Sequence, residues 1–269
     1  MRIAIQGQAG SFHEQVAHQW YGASVTIVPC TSFADVFAAY ENGEADVIVT
    51  AVENSIYGSI NDVYQLIEEC DAPIIGEVKL AIDQMLITNA GARLSDITEV
   101  YSHPVALAQC RHWLRQHLPS AELVEFFDTA GAVEFIKSEG APHMAAIAGE
   151  QAATLHSLPI LKRSVQDSDH NITRFLVLEP TNTPTSANRA SLVITTSHQP
   201  GALVEVLQVF AAAGVNLAKL QSQPIIGEPW NYKFFIVVDC AGQQLRDLVA
   251  QIEKSDHSVT LLGEYKAAK

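Results

Sequence analysis

The chain has 269 residues, of which 48% are hydrophobic, so it can bury one large core or two ordinary ones. Its 30 acidic and 16 basic residues give a formal net charge of −14. This balance argues against a nucleic-acid partner, because phosphate groups need a basic surface. No stretch reaches the ~20 apolar residues of a membrane helix, and the start of the chain has no secretory pattern. We therefore expect a cytoplasmic protein without a membrane partner.

The spacing of the cysteines and glycines predicts no metal site and no nucleotide loop. Gly7 to Gly10 lacks the third glycine of a dinucleotide fingerprint and the lysine of a nucleotide loop. The cysteines form no metal-type or redox-type pair, so free thiols are expected. The four of them are Cys30, Cys70, Cys110 and Cys240.

A segment rich in proline, threonine and asparagine divides the chain. The sequence EPTNTPTSANR contains Pro180 and Pro184, which break regular structure. It predicts a first domain over 1–179, a linker over 180–189 and a second domain over 190–269.

In the first domain, short apolar runs alternate with amphipathic segments. This order predicts an α/β fold with a largely parallel sheet and helices on both faces. The predicted strands are Ile3–Gln6, Val25–Val28, Asp46–Thr50, Thr98–Tyr101, Leu123–Phe127, Ala145–Ala148 and Phe175–Leu178. The predicted helices include Phe33–Asn42, Ile60–Glu68, Val105–Gln116, Ala130–Ser138 and Glu150–Leu155.

The second domain has the βαββαβ order of a ferredoxin-like fold. Its predicted elements are strand Ser191–Thr196, helix Ala202–Ala212, strand Asn216–Gln221, strand Asn231–Val238, helix Gln243–Lys254 and strand Ser258–Tyr265.

Polar helix caps follow several predicted strands of the first domain. Ligands of parallel sheets bind beyond the carboxyl ends of the strands, and helix N-termini there attract carboxylates and phosphates. Each cap alone has ordinary helix capping as its simplest explanation, but together they predict an anion-binding cleft. The candidate residues are Ser11 and Glu14, then Asn54, Ser55 and Ser59, then Ser102 and His103, then Asp128 and Thr129.

The segment QDSDHNITRFLVLE adds polar residues just before a predicted strand. Arg174 can hold a carboxylate through two hydrogen bonds. Thr173 is either a proton donor or an ordinary strand residue, because threonine is an uncommon general acid. His103 is the alternative donor, since the pKa of histidine lies nearer neutrality.

On these residues the sequence resembles the prephenate dehydratase family over nearly its whole length. The matching stretches are GQAGSFHEQVA, TSFADVFAAYENGEADVIVTAVENSIYGSI, EVYSHPVALAQC, DTAGAV, AAIAGEQAATLHSLPIL and HNITRF. After the linker, QPGALVEVLQVFAAAGVNLAKLQSQP resembles an ACT regulatory domain.

The resemblance implies a two-lobed catalytic domain similar to periplasmic binding proteins, with the active site in the cleft. Lobe one would cover about 1–79 and 156–179, and lobe two about 80–155. The implied reaction converts prephenate to phenylpyruvate in L-phenylalanine biosynthesis without a cofactor. Thr173 would donate the proton, and Phe175 would line the pocket or pack beneath it. The residues implied to hold carboxylates and orient the ring are Arg174, Asn54, Ser55, Ser11, Ser102 and Thr129.

Some positions depart from the family pattern. Val105 replaces a frequent glutamine, and His13 replaces a usual serine or threonine. The segment Gln221-Ser222-Gln223-Pro224 replaces Glu-Ser-Arg-Pro, so both charged groups are lost.

The ACT resemblance implies a homodimer or homotetramer inhibited by L-phenylalanine. Free N–H groups of the helix after Pro200 can take the carboxylate. Asn216 and Gln221 offer acceptors for the ammonium, and two leucines can enclose the ring. The predicted effector residues are Gly201, Ala202, Leu203, Asn216, Leu217 and Gln221.

Two alternatives stay open. The enzyme could act on arogenate, which has an amine in place of the keto group of prephenate. The same fold could also serve a non-catalytic solute-binding or sensor protein.

Overall fold

The computed structural model describes residues 1–180, 186–225, 227–228 and 230–268. It divides into two compact units. The first unit is Met1–Val63 with Lys79–Phe175, and the second is Tyr64–Val78 with Leu176–Lys269. Residues Tyr64–Val78 therefore group with the C-terminal part, which the predicted domain bounds did not include. Residues 181–185 of the predicted linker lie outside the described residues.

The first sheet has six strands, in the order β2-β1-β3-β11-β5 with β4 against β3. Strand β1 pairs in parallel with β2 and with β3, as the alternating pattern predicts. Parallel strands are buried on both faces, and β3 accordingly has seven buried residues in its sequence VIVTAVEN. The strands are β1 (Arg2–Gln6), β2 (Thr26–Cys30), β3 (Val47–Asn54), β4 (Gly58–Ser59), β5 (Ile74–Ala81) and β11 (Ile172–Leu178).

The second sheet has five strands, in the order β10-β6-β9-β7-β8. Strands β7, β8 and β9 pair in parallel, whereas β6 pairs antiparallel with β9 and β10. The sequence did not predict β6 or β10, which are short. β10 belongs to this sheet although it lies beyond residue 155, the predicted end of lobe two. The strands are β6 (Met85–Thr88), β7 (Glu99–Ser102), β8 (Glu122–Glu125), β9 (Met144–Ala148) and β10 (Ile160–Lys162).

Seven helices lie between these strands along the chain, within the described residues. The predicted helix Val105–Gln116 is divided in two at Cys110, whose backbone leaves the helical region with φ −110° and ψ 10°. Helix α1 follows Ser11, whose side chain accepts from the Glu14 N–H. The helices are α1 (Phe12–Tyr21), α2 (Phe33–Glu41), α3 (Asn61–Glu69), α4 (Pro104–Gln109), α5 (Arg111–His117), α6 (Thr129–Glu139) and α7 (Glu150–His156), with a short 3₁₀ helix at Leu94–Asp96.

The C-terminal part has the predicted βαββαβ order. Its four antiparallel strands lie in the order β13-β14-β12-β15. One apolar core joins the sheet to both helices, with Phe210, Ile236 and Leu245 buried at its centre. The elements are β12 (Arg189–Thr195), α8 (Ala202–Ala212), β13 (Leu217–Pro224), β14 (Tyr232–Val238), α9 (Gly242–Ile252) and β15 (Ser258–Tyr265).

Side chains of residues 64–78 explain their place in the second unit. Tyr64 is fully buried and its ring lies 4.4 Å from that of Phe235. The buried carboxylate of Glu77 accepts from Arg189, which also bonds Asp239 at 2.6 Å. A buried charge needs such partners, because burial without them is costly.

None of the helices in the described ranges is long and apolar enough to cross a membrane.

Candidate active site

A cavity of about 270 Å³ in the first unit collects the polar ends of several strands and helices. Both sheets contribute to it, because its lining includes residues at the ends of β1, β3 and β7 as well as residues of β11. The lining residues are Gln6, Ser11, Phe12, His13, Phe33, Ala51, Asn54, Tyr57, Ile60, Ile82, Gln84, His103, Val105, Ala106, Gln109, Asp128, Thr129, Thr173 and Phe175. The predicted grouping of strand-end caps is therefore observed for Ser11, Asn54, His103, Asp128 and Thr129.

A network of buried amides surrounds Thr173. The Nδ2 of Asn54 donates to Thr173 Oγ1 at 3.0 Å and to Asn171 Oδ1 at 2.7 Å. Asn171 in turn donates to Gln109 Oε1 at 2.9 Å. Gln84 donates to the same oxygen at 3.3 Å. These bonds fix the side chain of Thr173 and the polar wall of the cavity.

Strand alternation decides which residues of the Thr173 motif reach the cavity. Strand β11 begins at Ile172, three residues earlier than predicted, so Thr173 and Phe175 lie on one face and Arg174 on the other. Arg174 is not among the lining residues and instead bonds Glu53 at 2.9 Å. Its predicted role as a carboxylate ligand is not supported by this geometry.

Two other predicted residues also have partners outside the cavity. The Ser55 hydroxyl donates to the His170 carbonyl at 2.6 Å and accepts from the Ile172 N–H. The Ser102 hydroxyl is fully buried and donates to the Ile147 carbonyl. Both serines therefore hold the backbone together and are absent from the cavity lining.

Asp128 closes one side of the cavity. Its carboxylate caps α6 by accepting from the Gly131 N–H at 3.0 Å and also accepts from the Gln8 N–H at 3.1 Å. Gly7 has φ +101°, and a Cβ there would lie 2.8 Å from Asp128 Oδ1. Only glycine fits this backbone conformation and this close approach, which explains the glycine at the first position of the GQAG turn.

His103 is less suited to donate a proton than its residue type suggests. Its Nδ1 accepts from the Val105 N–H at 3.3 Å, at the start of α4. Burial lowers its pKa, although Asp128 and Glu125 act in the opposite direction. A lowered pKa leaves the imidazole largely neutral near pH 7.

His13 is a buried, neutral histidine on the cavity wall. Desolvation lowers its pKa to about 3. Its Nε2 accepts from the Ala51 N–H at 3.2 Å, so the ring proton resides on Nδ1. The rings of Phe175, edge-on at 5.0 Å, and Phe33, at 5.9 Å, enclose it. A substitution that looked like a departure from the family pattern is thus part of the site.

This burial makes His13 a source of acid instability. The folded pKa of about 3 lies below the ordinary value of 6.5, so the unfolded chain binds the proton first and stability falls as pH drops below 6.5. We expect His13 to lower the free energy of unfolding by about 2 kcal/mol at pH 5 relative to pH 8. His13→Gln keeps an acceptor without this titration, so urea unfolding across that range should show a flatter profile. Equal profiles in both proteins would contradict this expectation.

Sequence reasoning missed Gln84 and Gln109 as site residues. Gln109 lies inside EVYSHPVALAQC, a stretch that resembles the family, but its role depends on a bond with Asn171, 62 residues away in sequence. Gln84 precedes β6, a strand that was not predicted. The resemblance to the family could therefore have pointed to Gln109. It could not have pointed to Gln84, which lies outside every matching stretch.

A second cavity, of about 390 Å³, lies in the second unit and includes three of the six predicted effector residues: Gly201, Ala202 and Leu203. The N–H of Ala202 donates to Gln199 and is occupied. Asn216, Leu217 and Gln221 do not line this cavity. Asn216 bonds Asp239 at 2.7 Å, Leu217 packs against the apolar core, and Gln221 bonds the Ser222 carbonyl.

Two α/β sheets that share a cavity lined by polar strand-end residues, in a chain that ends in a ferredoxin-like domain, are the architecture of a protein that binds a small molecule. Residues 3–183 match the family model of prephenate dehydratase and residues 190–257 that of the ACT domain. The chain therefore belongs to the prephenate dehydratase family, whose members are hydro-lyases.

Individual relatives agree with this assignment. The bifunctional chorismate mutase/prephenate dehydratase of Aquifex aeolicus is 35% identical, over 100% of this chain and 74% of that protein. Arogenate dehydratase/prephenate dehydratase 2 of Arabidopsis thaliana is 34% identical, over 98% and 72%. The crystal structure of prephenate dehydratase in complex with L-Phe from Arthrobacter aurescens is 30% identical, with a TM-score of 0.89 over 99% and 90% of the two chains.

Proposed function

We propose that this protein converts prephenate to phenylpyruvate in L-phenylalanine biosynthesis, and that Thr173 donates the proton to the departing hydroxyl. The observation that carries this proposal is the hydrogen bond from Asn54 to Thr173 Oγ1 at 3.0 Å. That bond occupies a lone pair of the oxygen, so the Thr173 O–H must find another acceptor. Because Thr173 lines the cavity, a bound substrate can supply that acceptor.

The reaction breaks two bonds that join the ring to its substituents. The C–C bond to the ring carboxylate breaks and releases carbon dioxide, while its electron pair enters the ring. The C–O bond breaks, and the hydroxyl leaves as water after it receives a proton. One proton is consumed per turnover, passing through Thr173 and replaced from solvent. Aromatisation supplies the driving force, so the protein has to bind, align and protonate.

The cavity offers neutral donors for the two carboxylates of prephenate. Ser11 accepts from the Glu14 N–H at 3.3 Å, which leaves its own hydroxyl proton available. Thr129 is the first residue of α6, and helices α1 and α6 both begin at the cavity. Helix N-termini carry partial positive charge. We propose that Ser11 and Thr129 bind the carboxylates, and that Arg174 acts on Glu53 rather than on the substrate.

His13 favours prephenate over arogenate. Its Nε2 is occupied by the Ala51 N–H, so the ring can only donate, through Nδ1. A donor suits the keto oxygen of prephenate, whereas the ammonium of arogenate is itself a donor. Aromatic packing by Phe175 adds an apolar surface for the ring.

The test is to incubate the purified protein with prephenate and with arogenate separately. Phenylpyruvate is followed by its absorbance in alkali, and phenylalanine by chromatography. We expect turnover of prephenate at the higher kcat/KM. Faster turnover of arogenate would make the protein an arogenate dehydratase. Binding of either compound without turnover would favour the solute-binding or sensor alternative.

We also propose that the protein is cytoplasmic and assembles as a homodimer or homotetramer through residues 190–269, with L-phenylalanine as its inhibitor. The four-stranded sheet carries both of its helices against one apolar core. Leu220, on the edge strand β13, and Leu261, on the other edge strand β15, are exposed. Such surfaces are ordinary candidates for pairing between subunits.

L-Phenylalanine is expected to bind the intact protein at submillimolar concentration. The cavity at Gly201 and Leu203 offers helix N–H groups for the carboxylate and the rings of Tyr232 and Phe234 for the apolar side chain. Calorimetry with phenylalanine, tyrosine and tryptophan measures the preference. Light scattering in the same buffer is expected to give at least a dimer.

The matched variants are Leu203→Ala, inside the cavity, and Leu155→Ala, an exposed leucine of α7 outside it. We expect the first to weaken phenylalanine binding by roughly tenfold, which is the loss of most of a buried leucine's transfer free energy. The second should leave binding unchanged. Absence of binding by all three amino acids at millimolar concentration would remove the regulatory proposal.

A further inference from the structure

We propose that Gln84 is a substrate-binding residue whose Oε1 accepts the hydrogen of the substrate's ring hydroxyl. This inference rests on the proposed function and extends it to a residue outside the recognised motifs. Gln84 lines the cavity and is only 2% exposed. Its Oε1 is buried and has no hydrogen-bond partner among the residues that the structure describes.

The direction of the Gln84 amide is set by two backbone groups. The N–H groups of Ile56 and Tyr57 both donate to Asn54 Oδ1 at 2.9 Å. The Asn54 oxygen is thereby fixed as an acceptor, and its Nδ2 must be the group that faces Asn171 and Thr173. The orientation of the first amide is therefore not arbitrary.

The orientation of the Asn54 amide in turn fixes the orientations of Asn171, Gln109 and Gln84. Asn171 accepts from Asn54 through Oδ1, so its Nδ2 donates to Gln109 Oε1. The Nε2 of Gln109 reaches Asn54 Oδ1 at 3.4 Å, which is consistent with the same direction. Gln84 then has to place Nε2 toward Gln109 Oε1, at 3.3 Å. Its Oε1 is left at the end of the network as a buried acceptor of a residue that lines the cavity.

The ligand group that fits this acceptor is a neutral hydroxyl. Buried acceptors in folded proteins almost always have a donor, and a carboxylate offers none. The ring hydroxyl is the one donor that a prephenate dianion carries. Gln84 and Thr173 are joined through Gln109 and Asn54, so they belong to one polar wall. Gln84 would accept from the hydroxyl hydrogen while Thr173 donates to its oxygen, which orients the leaving group.

The experiment compares two ligands that differ by one hydroxyl, phenylpyruvate and 4-hydroxyphenylpyruvate. Calorimetry measures the dissociation constant of each for the intact wild-type protein and for Gln84→Met, which keeps the length of the side chain without its acceptor. We expect the hydroxylated ligand to bind the wild type three- to tenfold more tightly, as one neutral hydrogen bond allows. In Gln84→Met the ratio should fall to about one. The kcat/KM for prephenate should fall by about tenfold.

The ratio separates ligand recognition from structural support of Gln109. Damage to the network weakens both ligands together and leaves their ratio intact. A ratio that survives in Gln84→Met, or a wild type that binds the hydroxylated ligand no more tightly, would overturn the role of Gln84. Failure of the wild type to convert prephenate would instead contradict the proposed function, since the binding ratio is measured without turnover.

Discussion

Thr173→Ala is expected to leave a folded protein whose kcat for prephenate is lower by about 10²–10⁴-fold, which is the range for loss of a proton donor. Thr173 is 8% exposed, and its hydroxyl accepts from Asn54 while the O–H is left for the substrate. Steady-state kinetics measure the change, and circular dichroism checks the fold.

Thr173→Ser is the matched control. It keeps the hydroxyl and loses only a methyl group, so part of the activity should remain. Near-normal turnover by Thr173→Ala would remove Thr173 from the donor role. Attention would then move to His103, and a His103→Gln variant would be the next measurement, although burial lowers the pKa of that histidine.

Asn54→Asp is expected to lower kcat by roughly 10²-fold. The aspartate keeps an acceptor for the Ile56 and Tyr57 N–H groups. It cannot donate to Thr173, whose O–H can then turn toward the new carboxylate and away from the substrate. A misplaced reacting group costs about this factor in rate.

The second variant for this position is Asn54→Leu, which loses the acceptor as well as the donor. It should cost roughly 2–3 kcal/mol in the free energy of unfolding, because buried polar partners are left without a hydrogen bond. Urea unfolding measures the free energy of unfolding of both variants. If Asn54→Asp kept wild-type kcat, the orientation of Thr173 by Asn54 would have no part in catalysis.

The sequence alone determined the α/β class and the order of the C-terminal elements. Helix Ala202–Ala212 and strand Ser258–Tyr265 have the predicted bounds, because apolar periodicity and turn residues are local signals. Polar residues such as Ser11 and Asn54 also line one cavity, as expected, because they follow the neighbouring parallel strands β1 and β3, whose carboxyl ends share an edge.

Tertiary structure alone decided which polar side chains reach the cavity. Arg174 was predicted beside Thr173, yet strand alternation turns it to the opposite face, toward Glu53. The predicted strand began at Phe175, three residues after the observed start of β11, so Thr173 and Arg174 were not recognised as neighbouring strand residues that point to opposite faces.

The amide network was also beyond sequence reasoning. Its bonds join Asn54 to Thr173 over 119 positions and to Gln109 over 55. Glutamine and asparagine at such distances carry no periodic or spacing signal, and their hydrogen bonds form only when strands β3 and β11 and helix α4 come together. The same holds for His13, whose lowered pKa of about 3 results from burial by side chains that lie far along the chain. Local sequence patterns thus determined the order of helices and strands. Long-range packing determined the hydrogen-bond partners and the pKa values of the site residues.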